Sequence, residues 1–76
     1  MLTATQILDN YFLEMRWRCL SLAADLDRIQ RSSDAAQSKN DPRLLRLRDA
    51  LQVLLADAPN RAEQVQLIFS DKTPPP

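Results

Sequence analysis

The chain has 76 residues, with ten basic and ten acidic side chains, one Cys, no His and no Gly. A chain of this length forms one small domain and buries only about 60% of the surface that its unfolded state exposes, so a partner subunit is expected to add stability. The absence of Gly excludes the dinucleotide-binding loop and the P-loop, and the absence of His removes the usual acid–base residue and the commonest transition-metal ligand. We therefore expect no enzyme activity, no cofactor, no metal site and no small-molecule substrate.

The chain also carries no sign of export or of a membrane span. One Cys cannot form an internal disulfide, which fits a reducing compartment. Residues 1–6 contain no Lys or Arg, and charged residues interrupt every apolar run before the roughly 18 to 20 residues that a span requires. We expect a cytoplasmic protein without a membrane-embedded part.

Apolar residues repeat at alternating spacings of four and three in the first third of the chain, which is the 3.5-residue period of helices in coiled coils. These residues form the first apolar face: Leu8, Phe12, Met15, Cys19, Leu22, Leu26 and Ile29. Thr3 and Gln6 form a candidate capping box ahead of them. The pattern predicts a helix over about residues 4–32, with Cys19 as a buried residue of the protein core.

A polar loop is predicted over residues 33–40, and Asp41 followed by Pro42 then signals the start of a second helix. This helix is predicted over about residues 42–58. Its apolar residues are Leu44, Leu47, Leu51, Leu54 and Ala58, flanked by Leu45 and Leu55.

Pro59 breaks or kinks the second predicted helix, because proline lacks an N–H group and crowds the carbonyl four residues earlier. Asn60 and Glu63 are predicted to cap a third helix over about residues 60–70. Its apolar residues are Ala62, Val65, Ile68 and Phe69. Residues 1–72 are expected to form one helical domain, followed by an extended Pro-rich tail over residues 73–76.

The predicted helix lengths favour an all-α antiparallel hairpin. At 1.5 Å per residue, the first helix is about 43 Å long, and the second and third together reach nearly the same length. The second arm, divided at Pro59, can then cover the first apolar face.

A second set of apolar residues lies about 140° around the first predicted helix from the first apolar face. These residues form the second apolar face: Leu13, Trp17, Leu20 and Ala24. The third helix folding back, a second copy of the chain, or a different protein can cover it. The favoured hypothesis is a homodimer, in which two hairpins form a four-helix bundle that serves as a non-enzymatic protein–protein interaction or assembly module.

Three basic residues at the start of the second predicted helix support an alternative hypothesis, in which the protein associates with nucleic acid. Arg43, Arg46 and Arg48 are candidates for contacts with phosphate or other anions. The chain is neutral overall, however, and this basic patch has no aromatic residue for base stacking. A solvated surface is the favoured interpretation, so we do not expect a nucleic-acid partner.

Overall fold

The computed structural model describes residues 1–70, and this part of the chain contains four helices and no strand. They are α1 (Ala4–Gln30), α2 (Ala35–Ser38), α3 (Pro42–Leu55) and α4 (Arg61–Phe69). The all-α class is confirmed. The chain divides into two compact units, Met1–Ala35 and a second unit that begins at Ala36. The predicted tail over residues 73–76 lies outside the described residues.

The start of α1 is fixed by the predicted capping box. The backbone N–H of Gln6 donates to Thr3 Oγ1 at 3.1 Å, and the backbone N–H of Thr3 donates to Gln6 Oε1 at 2.9 Å. Two N–H groups that have no partner within the helix are thereby satisfied.

α1 ends at Gln30, two residues before the predicted end. Both the hydroxyl and the backbone N–H of Ser32 donate to the carbonyl of Ile29, at 2.6 and 3.2 Å. These bonds turn the chain out of the helix, as expected of a serine that competes for backbone partners. The predicted loop then contains the one-turn helix α2.

The Asp41–Pro42 signal is confirmed as the start of α3. Asp41 Oδ1 accepts from the backbone N–H of Arg43 at 2.9 Å, and Pro42 occupies the first turn. Proline is tolerated there because the helix has no carbonyl to offer an N–H group at that position.

Pro59 separates α3 from α4 and does not merely kink one helix. α3 ends at Leu55, three residues before the predicted end, and the backbone of Ala56 is extended, with ψ 142°. A helix continued through Pro59 would place the proline ring against the carbonyl of Leu55. The Arg61 guanidinium instead holds the break together, because its Nε and Nη2 donate to the carbonyl of Ala56 at 3.1 and 2.7 Å.

The predicted side-chain cap at Asn60 was wrong. Asn60 precedes α4 in the left-handed conformation, with φ 62° and ψ 37°, and its side chain makes no capping hydrogen bond. Asn tolerates this conformation better than most residues. The chain therefore uses Asn60 for its backbone geometry, while the Gln64 side chain donates to the carbonyl of Pro59 at 3.0 Å.

Helices α3 and α4 pack against each other within the second unit. Ala50 is the one buried residue among residues 1–70. The face of α3 with lower exposure includes Leu44, Leu47 and Leu51, as predicted, but Leu54 is exposed. The covered face of α3 is therefore rotated away from Leu54 and towards Ala50.

We predict that Thr3→Ala lowers the free energy of unfolding by about 1 kcal/mol, because it removes the acceptor for the N–H of Gln6. Urea denaturation followed by circular dichroism at one protein concentration measures the change. Thr3→Ser keeps the hydroxyl and should remain close to the wild type; equal losses in both variants would contradict a capping role.

We predict that Asn60→Gly changes the free energy of unfolding by less than about 0.5 kcal/mol, whereas Asn60→Val lowers it by about 1–2 kcal/mol. The difference arises because a β-branched residue is strongly disfavoured at positive φ and Gly is not. The same denaturation measurement applies. Equal stability of the two variants would mean that Asn60 is not held in the left-handed conformation.

Candidate interaction surface

The second apolar face lies along α1 as predicted from its spacing. Leu13 is 77% exposed, Trp17 is 69% exposed and Leu20 is 54% exposed, and Ala24 is also exposed. One helix positions all four residues, so their arrangement depends only on the regular geometry of α1. The result is an apolar strip about 17 Å long between residues 13 and 24.

An ion pair borders the largest residues of this face. Arg18 Nη2 lies 3.0 Å from Glu14 Oε2, one turn away along the helix. Together with Leu13 and Trp17, these two residues line an open surface depression of ≈ 420 Å³. Large apolar side chains beside charged ones are also found where the apolar centre of an interface meets its polar rim.

Two further ion pairs lie towards the end of α1. Arg31 Nη2 is 3.7 Å from Asp27 Oδ2, and Arg28 pairs with Asp25. The partners in the Glu14–Arg18 and Asp27–Arg31 pairs are four residues apart, the spacing that places two side chains on the same side of a helix. All of these side chains are exposed, so each pair contributes only a few tenths of a kcal/mol to the stability of the helix.

The first apolar face is accessible as well. Leu22 and Leu26 are half-buried, whereas Leu8, Phe12 and Met15 are each about half exposed. No residue of α1 is buried. α1 therefore presents apolar side chains on two sides.

The predicted burial of Cys19 was wrong, because the thiol is exposed. Helical spacing places Cys19 on the same face as Leu22 and Leu26, but it does not determine whether any part of this chain covers that face. Cys19 is thus an accessible member of the first apolar face.

The candidate anion contact at the start of α3 contains an internal ion pair that the sequence analysis missed. Arg43 Nε and Nη2 donate to the two carboxylate oxygens of Asp41 at 3.0 and 2.8 Å. The side-chain hydrogen bonds from Arg43, followed by the bond from its backbone N–H, lower the pKa of Asp41 to about 2. The sequence did contain a signal for this pair, because the acidic N-cap residue Asp41 lies two positions before Arg43.

The three arginines do not converge on one site. Arg43 is paired with Asp41, and Arg46 and Arg48 are two residues apart, so they point to different sides of α3. Within residues 1–70, neither Arg46 nor Arg48 belongs to an ion pair. No single surface of α3 collects the three positive charges.

The described residues contain no group of three or more His, Cys, Asp or Glu side chains close enough to hold a metal ion. None of the helices in this part of the chain has the length and apolar character needed to span a bilayer. Comparison of the chain with protein-family models, with curated proteins and with solved structures finds no match.

We predict that Arg43→Gln raises the pKa of Asp41 towards 3.8, because it removes the guanidinium and leaves the backbone N–H bond in place. A ¹³C NMR titration of the Asp41 carboxyl group measures this pKa. Arg46→Gln is the matched control and should leave the pKa near 2. An unchanged pKa in Arg43→Gln would contradict the role of the pair.

The sign of this shift also sets a pH dependence. Since the pKa of Asp41 is lower in the folded chain, its cap stabilises α3 above about pH 4. This contribution is lost as the pH falls towards 2.

Proposed function

We propose that this protein is a non-enzymatic protein–protein interaction or assembly module that acts as a homodimer through the second apolar face. The exposure of Leu13 and Trp17 on one side of α1 is the observation that carries the proposal. Large apolar side chains grouped on a surface mark interaction sites, and Trp is enriched among the residues that dominate binding energy.

The proposed architecture is an antiparallel hairpin that pairs with a second copy to form a four-helix bundle. α1 has 27 residues and is about 40 Å long, while α3 and α4 have 14 and 9 residues and together reach about 35 Å. These lengths support a second arm that follows α1 and packs against its first apolar face, where Leu22 and Leu26 are the half-buried residues. The second apolar face then remains for the partner.

The size of the energies involved favours the second apolar face over the exposed ion pairs as the source of affinity. Burying one large apolar side chain contributes about 1.5–3 kcal/mol, and the two-fold symmetry of a homodimer applies each contribution twice. The exposed ion pairs of α1 contribute far less and are screened by salt. Association driven by this face should therefore change little between low and high salt.

Sedimentation equilibrium at low and high salt tests the homodimer. We predict a dimer for the wild type at both salt concentrations and a monomer for Trp17→Glu, because a charge at the centre of the second apolar face cannot be buried without a partner. Ala23→Glu adds the same charge at an exposed position of α1 outside both apolar faces and should remain a dimer.

A wild-type monomer would overturn the homodimer and leave a different protein as the binding partner. A dimer that persists in Trp17→Glu would place the interface elsewhere. A dimer that dissociates at high salt would point to charged residues, with Arg46 and Arg48 the first to replace.

A further inference from the structure

We infer that the two α1 helices of the homodimer run antiparallel through the second apolar face, with a two-fold axis that crosses the helix pair at the level of residues 18 and 19. In this register Trp17 faces the partner's Leu20, and Leu13 faces the partner's Ala24. The inference rests on the proposed function and specifies the geometry of that interface.

The second apolar face is the middle of a longer regular pattern. The spacing of four and three residues continues to Asn10 and Gln6 towards the start of α1, and to Asp27 and Arg31 at its end. A helix that pairs through this face therefore brings uncharged amides to one end of the contact and two charged residues to the other.

Charge complementarity distinguishes an antiparallel from a parallel arrangement of the two α1 helices. A parallel pair would place Asp27 opposite Asp27 of the partner subunit and Arg31 opposite the partner's Arg31. Like charges that face each other across an interface are unfavourable. An antiparallel pair instead places Asn10 opposite the partner's Asp27, where the amide group can donate to the carboxylate.

Side-chain size also favours the antiparallel direction. A parallel pair would place Trp17 opposite the partner's Trp17 and, two turns further, Ala24 opposite the partner's Ala24. The two helix axes would then be far apart at Trp17 and close together at Ala24. Helix separation depends on the side chains at the contact. The antiparallel register combines a large with a smaller side chain in every layer, which allows a more even separation.

The intrahelical ion pair between Asp27 and Arg31 is compatible with this geometry. The two side chains are 61% and 76% exposed, so both are accessible to a partner. The first apolar face, which includes Cys19, lies on the other side of α1 and stays outside this contact.

Distances between spin labels in the full-length dimer test the direction and the register together. Cys19→Ser removes the native thiol, and Glu14→Cys, Ser21→Cys and Arg28→Cys then place one label at a time along the same side of α1. The antiparallel register predicts separations along the helix axis of about 14, 8 and 29 Å at residues 14, 21 and 28. Continuous-wave and pulsed electron paramagnetic resonance cover this range.

A parallel dimer would give nearly equal distances at the three positions and would overturn the inference while leaving the homodimer intact. If the shortest of the three label separations is not the one at residue 21, the proposed register is wrong. If both the labelled chain and the wild type sediment as monomers, the proposed homodimer itself is wrong, and the helix direction no longer applies.

A charge test at Asn10 provides a second, independent readout. In the antiparallel register Asn10→Lys faces the partner's Asp27 and should lower the Kd of dimerisation about two- to fivefold at low salt, whereas Asn10→Asp should raise it by a similar factor. In a parallel dimer residue 10 faces its own copy, so both variants would raise the Kd. Sedimentation equilibrium distinguishes opposite from equal effects, and equal effects would overturn the antiparallel arrangement.

Discussion

An amphipathic helix is stable only when its apolar side is covered, and the 27 residues of α1 carry two such sides. No residue of α1 is buried, and Ala50 is the one buried residue within residues 1–70. A chain of this size gains little from its own interior, since small domains bury the smallest fraction of their surface. The need to cover α1 is therefore the constraint from which the proposed architecture, dimer and function follow.

The polar groups perform a different task from the apolar faces. Thr3 and Asp41 fix where α1 and α3 begin, and Arg61 secures the break between α3 and α4. These contacts set the lengths and the starting points of the helices, each at a contribution of about 1 kcal/mol or less. They define a scaffold, while in the proposed architecture the first apolar face packs against the second arm and the second apolar face drives association.

Local signals predicted the helices well because each depends on neighbouring residues. The Thr3–Gln6 box, the Asp41–Pro42 start and the spacing of the second apolar face could all be identified from the sequence. The left-handed backbone of Asn60 and the rotation of the α3 face towards Ala50 could not, because they depend on the path of the linker and on the packing of α4. The exposure of Cys19 was missed for a related reason, since periodicity determines which residues share a face and not what covers that face.

The dependence of the melting temperature Tm on protein concentration tests most directly whether covering α1 requires a second copy. A chain that is stabilised by dimerisation has a Tm that rises with concentration, by roughly 5–10 °C for a hundredfold increase in a protein of this size. We predict such a rise for the wild type between about 1 and 100 μM. A Tm that stays constant over this range, with a cooperative transition, would show that the chain covers α1 by itself and would contradict the homodimer.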